Sequence, residues 1–135
     1  HTVINFKATT AVALEWQQKY DIRMRSPAQH ARHLSGGNQQ KLILAREIEC
    51  GPQLIIVMQP CKGLDVGAIE KVQNTLLAQK AAGKAVLYIS TELEHVMEIS
   101  DRIGVMCAGK MVGVVKPKEA TPEIMGSLMA GRCVV

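Results

Sequence analysis

An α/β fold with a parallel core is what this sequence predicts, on three observations. Two short, unbroken apolar runs, Leu54–Met58 and Ala85–Ile89, have the length of strands buried on both faces. A helix-length segment from Val66 or Gly67 through Ala82 separates them, as a parallel crossover requires, with Ile69, Val72 and Leu76 facing one way. Further on, Arg102–Cys107 and Lys110–Val115 read as two strands of a hairpin around Ala108-Gly109.

The remaining elements follow in order. His1 to Thr10 carries no pattern. Between Thr10 and Tyr20, Val12, Leu14, Trp16 and Tyr20 predict a loosely amphipathic helix. Asp21 to His33 holds Pro27 and basic residues, and reads as a connecting loop. A helix opens at Ser35 and runs to about Cys50, where Gly51-Pro52 stops it. Leu42, Ala45 and Ile48 form its apolar stripe. Gly83 ends the crossover helix. A short helix covers Glu92 to Ile99, with Thr91 and Glu94 as its capping box. Thr121-Pro122-Glu123 starts a last helix that ends near Gly131. No internal repeat or low-complexity segment interrupts this order.

Composition narrows the function classes. The 135 residues make one domain or a piece of one, enough to bury roughly two thirds of the unfolded surface. With 47% hydrophobic residues the chain is not disordered. The net charge of +4 is scattered from Lys7 to Arg132 without a run, which predicts a soluble surface rather than a nucleic-acid stripe. Phe6, Trp16, Tyr20 and Tyr88 are too few to stack single-stranded bases. Cys50, Cys61, Cys107 and Cys133 have no paired spacing and no histidine partner set, so no metal site is expected and the thiols read as reduced and cytosolic. No apolar run reaches the ~20 residues of a membrane span, and the stretch interrupted by charge and polarity from Asn5 onward does not resemble a signal peptide.

The chemistry-bearing stretch is Leu34-Ser35-Gly36-Gly37-Asn38-Gln39-Gln40-Lys41. Ser35 can cap the helix through its side chain, and the two glycines let a ligand approach the backbone. The first amides of a helix are unpaired donors at the positive end of its dipole, suited to an anion. On this reading Ser35 and the Gly37 amide region bind phosphate oxygens. For a bare Ser-Gly-Gly start, an ordinary capped helix with a wet polar face is the better account.

Taken whole, the eight-residue string closely resembles the signature motif of ABC-type ATPases, in the Asn-Gln-Gln-Lys form typical of sugar and nucleoside importers. The resemblance extends from about Tyr20 to Gly131. It implies a partial P-loop NTPase-like parallel sheet with flanking helices, lacking the phosphate-loop strand. On that basis residues 1–52 hold the end of a helical subdomain with the signature loop and helix, 53–116 the catalytic-core strands and helices, and 117–135 a C-terminal helix and tail. It also implies ATP as cofactor, contacted by Ser35, Gly36, Gly37, Asn38, Gln39 and Asp65.

Several of the family's parts are altered or missing. The nearest match to a phosphate loop, Gly104-Val105-Met106-Cys107-Ala108-Gly109-Lys110-Met111, lacks the magnesium-binding hydroxyl and runs on as strand, so it is rejected. The strand that should end in an Asp for magnesium and a Glu for the attacking water ends in Met58 and Gln59. A thioether does not hold hard Mg²⁺, and an amide orients water without accepting its proton. Gly63-Leu64-Asp65-Val66-Gly67-Ala68 matches the loop that crosses the family's dimer interface, and Asp65 can equally cap the next helix. The family's switch histidine is replaced by Thr91, while His95 reads as a surface or packing residue.

In such transporters two ATPase halves meet head to tail, each ATP lying between one half's phosphate loop and the other's signature. The resemblance therefore places this chain in the distal part of a second, C-terminal half. Its signature would complete the partner's site, with Mg²⁺ supplied through that partner. The expected partners are a second ATPase half, membrane permease subunits and, indirectly, a solute-binding protein. The expected location is peripheral, on the cytoplasmic side of the membrane. The missing strand would leave a slot in the central sheet, so a shift of strands, a homodimer with strand swap, or origin in a longer chain is expected. Gly63–Ala68 and Ile124–Gly131 lean to the nucleoside branch. The alternatives are a non-catalytic interaction or regulatory module, and a DNA-associated relative that scattered charge and few aromatics disfavour.

Overall fold

Asn5 opens helix α1 (Phe6–Lys19) by accepting the Ala8 amide at 3.1 Å. The computed structural model describes residues 4–132, so Cys133 lies outside the described residues. Starting at Phe6, α1 begins earlier than its hydrophobic pattern suggests. Thr9 and Thr10 return their hydroxyls to the carbonyls of Asn5 and Phe6, at 3.0 and 2.8 Å, and so sit in a helix without an unmet donor. Two compact units divide between Leu87 and Tyr88.

In the first unit, α1 leads through a short 3₁₀ turn at Ala31–His33 into α2 (Gly36–Glu49). That turn lies inside the stretch expected to be plain loop. Ile22, Leu34 and Ala45 are buried together, with Trp16, Tyr20, Met24 and Leu42 packed against them. Strand β1 (Leu54–Met58) and helix α3 (Val66–Ala81) follow; strand β2 (Ala85–Ile89) carries the boundary between the units, and β1 and β2 pair as a small parallel sheet. The Ala85 amide donates to the Gln53 carbonyl at 2.9 Å, which sets where β2 begins.

Burial of both strands on both faces is not what the structure shows. Ile55 is buried, but Leu54, Ile56 and Met58 are 53%, 61% and 74% exposed, and β2 alternates in the same way. Two-sided burial needs helices on both faces of a sheet, and this two-stranded sheet is not covered on both. Among the described residues β1 pairs with β2, and β3 with β4.

The second unit is built on its hairpin, β3 (Ile103–Cys107) and β4 (Lys110–Val115). Ala108 and Gly109, at φ 46° and 76°, make the two-residue turn whose twist matches paired antiparallel strands. The register slips between Val105 and Met106, leaving Val112 as a bulge. The stretch that superficially resembled a phosphate loop is thus strand, turn and strand. Helix α5 (Pro122–Met129) is capped by Thr121, whose hydroxyl accepts the Ile124 amide at 3.3 Å. Met125 and Leu128 bury against Ile103, Val105 and Ala120. A Cβ on Gly113 would lie 2.9 Å from Leu128 Cδ2, so that glycine lets α5 approach the sheet.

Helix α4 (Leu93–Ile99) departs from its expected cap. Its N-cap residue is Glu92, not Thr91, and no side chain caps it. The Ser90 hydroxyl accepts the Glu92 amide at 3.0 Å, and this local turn delays the start of the helix. A second 3₁₀ turn, Pro117–Glu119, joins β4 to α5.

Met125→Ala should lower unfolding free energy by about 2–5 kcal/mol, the range for emptying a buried Met site. Val114→Ala, on the exposed side of β4, should cost under about 0.5 kcal/mol. Urea midpoints at constant slope measure both, and equal midpoints would mean α5 does not form this core.

Candidate functional site

Leu34, 8% exposed, anchors the chain immediately before α2. Ser35 then has the extended backbone of an N-cap residue, φ −61° and ψ 156°. Its side chain does not cap the helix as expected. The Ser35 Oγ instead accepts from Asn38 Nδ2 at 2.8 Å, and Asn38 Oδ1 accepts the Arg23 amide at 2.7 Å. The helical ladder starts only with the Gln39 amide, which donates to the Ser35 carbonyl at 2.9 Å. Among the described residues no acceptor meets the amides of Gly36, Gly37 or Asn38. A 14-residue helix therefore presents bare donors at its positive end.

The two glycines face different surroundings. A Cβ on Gly36 would meet nothing within 4 Å, so that side is open. A Cβ on Gly37 would lie 3.6 Å from Ala68 Cβ and 3.7 Å from Leu64 Cδ2. The Ser35–Asn38 turn and the Gly63–Ala68 loop, far apart in sequence, are thereby neighbours. Asp65 in that loop is exposed and accepts the Ala68 amide at 2.9 Å, capping α3. Gln39 is folded back, its Nε2 donating to the Leu34 carbonyl at 2.9 Å. Its side-chain amide N–H thus braces the turn.

Gln59 ends β1 in the left-handed region, φ 52°, where only a tight turn holds a side-chain residue. Its carbonyl accepts the Lys62 amide at 3.2 Å, and Pro60 after it is buried. Thr91 and His95 belong to the second unit. Thr91 is exposed just ahead of α4, and His95 is half-buried with its Nδ1 buried and unpartnered. Among the described residues no cluster of His, Cys, Asp and Glu is arranged to hold a metal ion, and no helix is long and apolar enough to cross a membrane.

What holds this turn was not visible in the sequence. Lys41 Nζ donates to the Asp21 carbonyl at 2.8 Å and to its carboxylate at 3.2 Å, and Lys71 reaches the same carboxylate. Hydrogen bonds from Lys71 and then Lys41 hold the Asp21 carboxyl down from 3.8 to about 2. At the far end of α2, Glu49 accepts Lys19 Nζ at 2.7 Å and the Tyr20 hydroxyl at 2.5 Å. The Lys19 and Tyr20 hydrogen bonds hold the Glu49 carboxyl below its usual range, while burial, then the Glu49 bond, pushes the Tyr20 phenol up. These partners are 20 to 50 residues apart, so no local pattern announces them.

No family model matches the chain. It is 53% identical over 113 residues to the guanosine import ATP-binding protein NupO of Bacillus subtilis, covering 84% of this chain and 22% of that protein. It is 44% identical over 128 residues to the nucleoside import ATP-binding protein NupA of Lactococcus lactis, covering 95% of this chain and 25% of the relative. The chain thus spans about a quarter of the curated relatives it matches. The dimeric bacterial ABC transporter cassette MJ0796 superposes with TM-score 0.72 over 87% of this chain and 50% of that one, at 24% identity. That likeness establishes the fold.

Two outcomes follow from this geometry. The Asp21 pKa is lower folded than unfolded, so its contribution to stability is complete above about pH 5 and is lost as pH falls through 3.8 toward about 2. Asp21→Asn should flatten the fall in melting temperature over that window, and an unchanged profile would mean the lysines do not act through this carboxylate. Asp65→Ala should cost about 1 kcal/mol through loss of the α3 cap, read as a shift in urea midpoint.

Proposed function

Because this chain belongs to the ATP-binding proteins of ABC-type sugar and nucleoside importers, we propose that it supplies the signature side of a composite ATP site. The observation that carries this reading is the set of unpaired amides at Gly36, Gly37 and Asn38 beside a serine hydroxyl that is not spent as a cap. Bare helix amides act on a triphosphate as a preorganised set of donors aimed at negative charge. The Ser35 hydroxyl and the backbone amides of Gly36, Gly37 and Asn38 would hold phosphate oxygens, with Gln39 bracing the turn and Asp65 fixing the loop next to it. The ATP and its Mg²⁺ would be gripped by the phosphate loop of a second ATPase half.

The chain's own catalytic strand would be the silent one. Met58 and Gln59 stand where magnesium-binding and water-polarising carboxylates are needed. Thr91 replaces the switch histidine. Closure of the two halves around ATP would be passed to permease subunits, with a solute-binding protein engaged only through them. The chain would sit on the cytoplasmic side of the membrane. Similarity to proteins described as guanosine and nucleoside importers favours a nucleoside as the transported solute. A non-catalytic interaction module is the second reading, favoured by the same loss of carboxylates at Met58 and Gln59.

Mixing the chain with an ATPase half that carries a complete phosphate loop should raise Mg-ATP hydrolysis by that half. Gly36→Asp is the sharp variant. No neighbour obstructs the side chain, and an acid in the first turn favours the helix, so melting temperature should hold or rise. Hydrolysis should fall by about 10²–10³, the loss typical of a disabled oxyanion donor site. Stimulation that survives Gly36→Asp would remove the phosphate role. Mg-ATP alone should not shift the melting temperature of the chain, and a rise of several degrees would contradict the need for a partner half.

A further inference from the structure

We propose that Asn38 is a positioning residue that converts the Ser35 hydroxyl from a helix-capping acceptor into an outward donor; this rests on the phosphate-binding role proposed above. A backbone N–H can only donate, so the Arg23 amide, 2.7 Å from the Asn38 side chain, must face its oxygen. The opposite end of that side chain is then the NH₂ group, and it lies 2.8 Å from Ser35 Oγ. An NH₂ group is donor only, so the Ser35 oxygen accepts. The single hydroxyl hydrogen of Ser35 is not consumed by Asn38 and is available to an acceptor outside the helix.

The consequence for the helix is as definite. A serine with this backbone would ordinarily accept one of the first helical amides. Here the oxygen is drawn onto Asn38, and the amides of Gly37 and Asn38 are left bare. The anchor of the relay is the segment before it, because Ile22, next to Arg23, is 2% exposed and packs with Leu34 and Ala45. Ser35 and Asn38 line a groove of about 610 Å³ together with Arg23, Arg25 and His33. Asp21 also lines this groove, with its carboxylate already engaged by Lys41 and Lys71, so Arg23 and Arg25 are the charged donors left to an anion reaching Ser35.

Two readouts on the full 135-residue chain and its mixture with a phosphate-loop half test the assignment. By amide hydrogen exchange, Gly37 and Asn38 should exchange at close to the free-peptide rate in the unmodified chain. In Asn38→Ala the Ser35 oxygen is released to cap the helix, and the amide of residue 38 should slow by about fivefold to tenfold. In the Mg-ATP hydrolysis assay Asn38→Ala should lower kcat by about tenfold. In the Ser35→Ala background the same substitution should have no further effect, because it acts through that hydroxyl. Unchanged exchange in Asn38→Ala, or additive losses in the double variant, would overturn the positioning role and leave the phosphate role standing. A Ser35→Ala variant with full hydrolysis would remove the phosphate role, and this proposal with it.

Discussion

The first unit depends on how the segment around Asp21 is bound to the opening turns of α2. Lys41 holds the Asp21 carbonyl and carboxylate, Lys71 adds a second cation, and Asn38 holds the Arg23 amide. These are charge-assisted or backbone-directed bonds at half-exposed sites, individually modest in water. Their value is positional. They fix a turn whose own hydrogen bonding is incomplete, so that α2 can begin with donors unmet and still hold its place.

A helix start of this kind is a local conflict between stability and chemistry. Capping by Ser35 would satisfy a first-turn amide and strengthen α2. The structure forgoes that bond and anchors the helix from behind, through Leu34, Ala45 and Ile48, and from the side, through Lys41. Rules of local preference fail most informatively where a ligand is to be met. Under the function proposed above, the unmet donors have a destination in triphosphate.

The other end of the proposed chemistry is quiet by contrast. Gln59 turns the chain after β1 at a positive φ, and the neighbouring Met58 is largely exposed. Neither offers a carboxylate to a metal or a base to water. The same strand leaves Leu54 and Ile56 exposed on one face, as a two-stranded sheet must when only part of an α/β layer is present. The proposed asymmetric role, with the signature donors kept, would leave no need for those carboxylates.

The sequence by itself determined the elements and the family. Apolar runs of strand length, Gly51-Pro52 and Gly83 as stops, Ala108-Gly109 as a hairpin turn and Thr121-Pro122-Glu123 as a helix start are local signals, and the structure has these elements within a residue or two. The signature string named the relatives because its information lies in adjacent residues. Tertiary structure alone decided the rest. It drew Ser35 away from its cap through Asn38 and Arg23, set Gly37 against Leu64 and Ala68, and paired Lys41 with Asp21. It also left β1 open on one face. Such choices turn on which side chains meet across 15 to 50 residues of chain, and a hydroxyl takes the partner that folding brings to it rather than the one its own helix offers.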